Sequence, residues 1–165
     1  MFTLHGTPAP GFAPEIDRSE AEQPELRLMP GLLMEISGPG ARRHVAELVA
    51  RYPFCPAAWV EEHLEPFPAE IRRVNMHYDR VLFVDGGEDS EWSLTTFVNS
   101  GLFPFVVYAG PLGDEKKMRR LRRQAKLSGT MVILVRDEPL PAWQAHYQYL
   151  SNGKRLHLLR GGQPS

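Results

Sequence analysis

The chain has 165 residues, 42% of them hydrophobic and 24% charged, an ordinary globular composition and enough for one domain with a central sheet. A formal net charge of -1 excludes a globally basic nucleic-acid binder, while a local basic patch stays open. A single cysteine, Cys55, excludes an internal disulfide and a cysteine-based metal cluster, and it fits a reducing compartment.

Residues 1–27 carry Pro8, Pro10, Pro14 and Pro24 with several acids and no helical or strand period. They read as a flexible Pro-rich tail, either a disordered leader or a partner-binding arm. This N-terminus has neither an apolar signal core nor a basic leader. No stretch approaches the roughly 20 apolar residues that span a bilayer. The expectation is a cytoplasmic protein without membrane contact.

From Leu32 the pattern changes. Leu32–Ser37 is a short apolar strand ending at Gly38-Pro39-Gly40, and 41–51 reads as a helix with Val45, Leu48 and Val49 on one face. Ala57–Val60 is a second strand, followed after Pro66 and Pro68 by a short helix around 69–73. Val81–Val84 is a third strand, 90–99 a helix, Phe105–Tyr108 a fourth strand, 114–127 a helix and Met131–Val135 a fifth strand. Continuous apolar strands alternating with helices predict a mostly parallel sheet with helices on both faces, a three-layer α/β domain. Segments 145–150 and 155–159 flank Ser151-Asn152-Gly153-Lys154. Asn-Gly tolerates positive φ at both positions, so a C-terminal antiparallel β-hairpin with a type I′ turn is expected there.

The first strand–turn–helix unit has the context of a phosphate-binding loop, G-x-x-x-x-G-K-[ST], whose amides cradle phosphates, whose lysine neutralises them and whose hydroxyl holds magnesium. The residues read Gly38-Pro39-Gly40-Ala41-Arg42-Arg43-His44-Val45. Arg43 stands for the second glycine, His44 for the lysine and Val45 for the hydroxyl residue, so all three functions are lost together. Weak anion binding at this helix start, helped by Arg42 and Arg43, is one reading. A tight turn that only maintains the fold is the simpler one.

Taken in order, several stretches resemble the RecA-like core: Pro30–Gly40 its opening, Ala58–Leu64 its second strand with the water-activating glutamate, and Trp92–Gly101 with Phe105–Tyr108 its following helix and strand. Met118–Ala125 and Ser128–Leu134 are similar to a narrower group, the RecA-like accessory proteins ImuA and SulA of the bacterial damage (SOS) response. The resemblance covers roughly residues 30–160 and rests on order and spacing. It implies a RecA-like domain over 28–162. It also implies a protein partner: RecA or a repair polymerase accessory, supporting translesion synthesis, or FtsZ, inhibiting cell division. Homo-oligomerisation is a further implication. Carry-over of the ATPase chemistry fails, because Tyr108-Ala109 stands where the family has its magnesium-organising aspartate. Glu62 (or Glu61) matches the catalytic glutamate but has no phosphate to act on. The chain is therefore expected to be no enzyme, with no catalytic residues, no metal and no cofactor.

The densest charge feature is Lys116, Lys117, Arg119, Arg120, Arg122, Arg123 and Lys126. With Met118, Leu121 and Ala125 on the buried face, these cations line the outer surface of one helix. The stripe suits a phosphate backbone, an acidic protein surface, or simply solvent near a helix C-terminus. No interleaved aromatic platform for single strands accompanies it in the sequence. Around 85–90, Asp85, Glu88 and Asp89 suggest a hard-metal site, but capping of the next helix by Asp89 or Ser90 is the plainer reading. The six histidines show no ligand spacing, and His63 reads as a loop residue. Cys55 reads as a small packed residue. Burial is the default for Trp59, Trp92 and Trp143, and core packing is expected for Phe103-Pro104-Phe105 and Leu140–Trp143.

Overall fold

In a computed structural model of the chain, residues 24–64, 74–140 and 145–161 are described. The expected short helix at 69–73 and Trp143 lie outside them, as does most of the tail. The strands are β1 (Leu33–Ser37), β2 (Ala57–Glu61), β3 (Val81–Asp85), β4 (Phe105–Ala109), β5 (Met131–Arg136), β6 (Tyr147–Ser151) and β7 (Leu156–Gly161). The helices are α1 (Ala41–Ala50), α2 (Ser90–Ser100) and α3 (Glu115–Ser128). The strands form one sheet in the order β3-β2-β4-β5-β1-β6-β7. Every neighbouring pair is parallel except β6–β7.

The central strands β1, β2, β4 and β5 are buried on both faces, which is why they read as near-continuous apolar runs rather than alternating ones, whereas the edge strands β3 and β7 are largely exposed or half-buried. Met34 and Ile36 point to the face covered by Val45, Leu48 and Val49 of α1, together with Trp59, Val107 and Ile133. Leu33, Val60, Val106 and Val132 point to the other face, covered by Leu94 and Val98 of α2 and by Met118, Leu121 and Ala125 of α3. The chain thus has helices on both sides of a mostly parallel sheet, with an antiparallel C-terminal hairpin. Packing begins before β1. Leu26, placed by sequence in the tail, is buried against the α1 layer, and Arg51 donates a hydrogen bond to its carbonyl.

Three local expectations change. The hairpin turn lies one residue later than the Asn-Gly pair suggests: Asn152 N–H donates to the Arg155 carbonyl at 3.1 Å, so the turn centres on Gly153-Lys154. The Asn152 side chain accepts from the Lys154 and Arg155 amides at 3.0 and 2.9 Å, which lets the asparagine brace the turn from its edge instead of occupying its centre. At α2, neither Asp89 nor Ser90 caps the helix through its side chain. A 3-10 turn at Gly87–Asp89 leads into it, and the Ser90 hydroxyl is 3.3 Å from the Tyr108 hydroxyl. Trp92 is not buried but 69% exposed. Ser90, Leu94 and Val98, spaced by four, take the inward stripe, and Trp92 falls on the opposite side of the helix. Asp114, by contrast, is a true cap, accepting from Lys117 N–H at 2.9 Å.

Candidate functional site

Between β1 and α1 the connection is a turn of only Gly38, Pro39 and Gly40, because α1 begins at Ala41. Arg42, Arg43 and His44 therefore stand in the first helical turn rather than around a phosphate-sized cradle. Gly38 and Gly40 have φ of +92° and +73°, conformations that a side chain strains. Both lie against the hairpin. A Cβ on Gly38 would run into the Ser151 carbonyl, and one on Gly40 would sit 3.3 Å from the Gly153 carbonyl. The Ser151 hydroxyl donates to the Pro39 carbonyl and accepts from Gly153 N–H at 3.1 Å. Arg43 Nη2 donates to the Gly153 carbonyl at 2.9 Å. Arg43 is thus a latch that ties the turn to the hairpin.

Arg42 is also engaged. Its Nε and Nη2 donate to Glu61 Oε1 at 3.1 and 2.8 Å, and Trp59 Nε1 donates to Glu61 Oε2 at 3.0 Å. Glu61 ends β2 and is buried. Its carboxylate is held by two side-chain partners, while the neighbouring Glu62 is half-buried. His44 points elsewhere, buried on the α1 side. Its Nδ1 is 3.9 Å from Glu47, and burial, reinforced by Arg43, lowers its pKa. Tyr108, near the end of β4, donates to the Pro111 carbonyl at 2.6 Å, and burial raises its phenol pKa.

At the carboxyl edge of the sheet, where open α/β folds bind ligands, a cavity of about 510 Å³ is lined by Arg42, Gly110, Arg136, Asp137 and Glu138. A smaller one of about 290 Å³ adjoins it along Gly38–Arg42 and shares Arg42, Arg136 and Asp137. Arg136 is a residue that the sequence did not single out. Its Nε is buried without a hydrogen-bond partner among the described residues. Two guanidinium groups here face two carboxylates, so the cleft carries no strong excess of either sign.

Glu35, also missed from sequence, lies fully buried in β1. It accepts from Leu140 N–H at 3.1 Å and from Gln148 Nε2 at 3.3 Å. Burial raises its pKa, against the opposing effect of these bonds and of Arg136. Pinning the 137–140 segment to the sheet is the work visible in its contacts. Its only sequence signal was one charge inside an apolar strand.

The second predicted site, the basic helix, lies on the opposite face of the sheet from α1. Met118, Leu121 and Ala125 are buried as expected. Six of the seven cations are exposed, with Arg122 half-buried. Lys117 pairs with Glu91 of α2 at 3.1 Å and Arg119 with Glu115 at 3.1 Å. Lys116, Arg120, Arg122, Arg123 and Lys126 have no carboxylate partner among the described residues. Two exposed leucines, Leu102 and Leu127 (73% and 81%), stand near the C-terminal end of α3. Gly101 brings them close, with its hypothetical Cβ 3.9 Å from the Ser128 carbonyl.

The remaining expectations are simply placed. His63 is exposed in a loop, while Cys55, Phe103 and Leu140 pack partly buried against the core. Among the described residues no three His, Cys, Asp or Glu side chains converge at metal-binding distance, and no helix is long and apolar enough to cross a membrane. No protein-family model matches the chain, and no curated protein matches its sequence.

Proposed function

We propose that this chain is a non-catalytic RecA-like accessory protein of the bacterial DNA-damage response, acting by contact with a protein partner and supporting repair or translesion synthesis. The strand–Gly-Pro-Gly–helix unit in the interior of a mostly parallel sheet, with helices on both faces and a C-terminal hairpin, supports a RecA-like reading. The observation that carries the non-catalytic part is the pairing of Arg42 with Glu61 at 2.8 Å. Glu61, one of the two residues (with Glu62) that the resemblance matches to a water-activating glutamate, is bonded instead to Arg42 in the first turn of α1. The Arg43 latch fills the same region with the hairpin turn.

Titration calorimetry with Mg-ATP tests this reading. No heat is expected, and saturable micromolar binding overturns it. The partner is tested with purified components: binding to RecA or to a translesion polymerase accessory is expected, with FtsZ assembly unaffected. Suppressed FtsZ assembly would replace the repair role with division inhibition.

A further inference from the structure

The three most exposed large apolar side chains among the described residues are Phe54, Leu127 and Leu102, at 84%, 81% and 73%. They lie far apart in sequence, yet the sheet gathers them at one end. Ala57 of β2, Phe105 of β4 and Met131 of β5 are register partners on three neighbouring parallel strands. Phe54, Leu102 and Leu127 each precede one of these residues by three or four positions. Strands stand about 4.8 Å apart, so the segments entering them form a row along the amino edge of the sheet. Tyr78, 38% exposed, extends the row at β3, whose Val81 is the partner of Ala57.

Each tip is held out by its surroundings. Cys55 N–H donates to the Tyr52 carbonyl at 3.0 Å, so Phe54 stands at the corner of a β-turn. Tyr52, at the start of that turn, packs on Phe105 with ring centroids 5.6 Å apart. Leu102 follows Gly101, the left-handed residue that ends α2, and its neighbour Phe103 meets Phe97 edge-on at 5.4 Å. Leu127 stands on the last turn of α3. Arg123, one turn earlier, and Lys126 are exposed and have no carboxylate partner among the described residues. Two exposed acids near this edge, Asp79 and Glu25, are met by Arg80 at 3.9 Å and Arg51 at 3.5 Å.

Separate apolar tips with cations beside them suit one partner above the others. A folded protein binds best through anchors seated in packed pockets, and side chains this exposed have no pocket walls around them. A phosphate backbone would engage Arg123 and Lys126 and leave three apolar tips in water. A bilayer surface adapts to separate tips, takes each out of water and offers phosphates to the neighbouring cations.

We propose that the amino edge of the sheet docks on an anionic bilayer, with Phe54, Leu102 and Leu127 in the headgroup–acyl boundary and Arg123 and Lys126 against lipid phosphates. The contact is peripheral and departs from the expectation of no membrane contact, which rested on the lack of a spanning stretch and a leader. Because β1 to β6 are parallel, the cleft at their carboxyl ends, with Arg42 and Arg136, points away from the lipid and stays open. This contact does not depend on the RecA-like reading.

The test floats the full-length chain with vesicles of equal parts phosphatidylcholine and phosphatidylglycerol. Binding is expected to these vesicles, and to be about tenfold or more weaker to pure phosphatidylcholine and in the Arg123→Gln, Lys126→Gln variant. The Leu102→Ser, Leu127→Ser variant should lose a similar factor. All four positions are exposed, so circular dichroism should report an intact fold in both variants. Depth is read with an environment-sensitive dye at Leu102→Cys in a Cys55→Ala background, against the same dye at Glu138→Cys on the carboxyl edge. A blue shift on anionic vesicles is expected at 102 and none at 138. Absence of vesicle binding, a shift at 138 instead of 102, or binding untouched by the leucine pair overturns the proposal. A dimer in sedimentation velocity that the leucine pair dissolves, without vesicle binding, gives the row to a second copy. Retention of oligothymidylate without vesicle binding gives the cations to nucleic acid and equally overturns it.

Discussion

The glycine turn and the basic helix are both arginine-rich, yet the fold treats them in opposite ways. Arg42 and Arg43 are spent inside the structure, one on a buried carboxylate and the other on a hairpin carbonyl. On α3 the cations stand outward, and among the described residues only Lys117 and Arg119 have carboxylate partners. The contrast teaches that position on the helix, not residue type, decides what an arginine does. Helix α1 packs its N-terminus between the sheet edge and the hairpin turn, so its charges meet fixed acceptors. Helix α3 exposes a full stripe, where each charge keeps its hydration and contributes little to stability.

Substitutions should separate the two regions by size of effect. Removing the acceptor of the buried pair, Glu61→Ala, should cost about 3 kcal/mol, because Arg42 and the Trp59 indole N–H lose a charged partner together. Urea unfolding checks this, and a loss below about 1 kcal/mol means that water replaces the carboxylate without penalty. Gly38→Ala comes next at about 2 kcal/mol, from a strained positive φ and the encounter with Ser151. A wild-type midpoint for that variant breaks the picture of a turn closed by the hairpin. Arg43→Ala should cost about 1 kcal/mol, the worth of one hydrogen bond with partial exposure. It should also quicken amide exchange at the hairpin turn, and unchanged exchange there denies the latch. Reversing Arg120 and Arg123 to glutamate should move stability by no more than about 0.5 kcal/mol, and a larger shift would show that the stripe is structural after all.

The pH response sharpens the same comparison as a slope rather than an offset. His146 Nδ1 accepts Leu33 N–H at 2.9 Å. Burial, helped by Arg122 and Lys126, lowers its pKa below the usual 6.5. His44 is lowered in the same direction. Below pH 6.5 the unfolded chain takes up protons that the folded chain refuses, so stability falls as pH drops toward the folded pKa values. Glu35 works the other way. Its raised pKa lets the folded chain take up a proton first, and stability rises as pH falls through the window just above 4.5. In His146→Asn the amide oxygen can keep the bond to Leu33, so the loss between pH 7.5 and 5.5 should shrink relative to wild type. An equal loss in the two proteins assigns the acid sensitivity elsewhere.

Much of the fold was legible from short segments alone. Five apolar runs separated by helical periods matched strands at 33–37, 57–61, 81–85, 105–109 and 131–136 within a residue or two, because the four central ones are buried on both faces and so are apolar nearly throughout, while the apolar run at the edge strand 81–85 is partly exposed. The inward face of α3 followed from Met118, Leu121 and Ala125 for the same periodic reason. The site was less legible. Trp92 sits in a helix whose apolar residues are few, and only packing against the sheet decided that Leu94 and Val98 would be the buried side. The hairpin register depended on whether Asn152 sat at the centre of the turn or braced it from the edge, a matter of two side-chain hydrogen bonds.

By itself the sequence determined the alternation of strand and helix, the absence of lysine and hydroxyl from the glycine turn, and the charge of the basic helix. Those are properties of residues and of spacings within one element. The tertiary structure decided that Glu61 meets Arg42, that Arg43 reaches Gly153, and that the end of α3 lies beside Gly31. Each joins residues on different elements, and such meetings are set by sheet order and helix placement. No local pattern encodes them, because the partners lie 19 residues apart for Arg42 and Glu61 and 110 apart for Arg43 and Gly153.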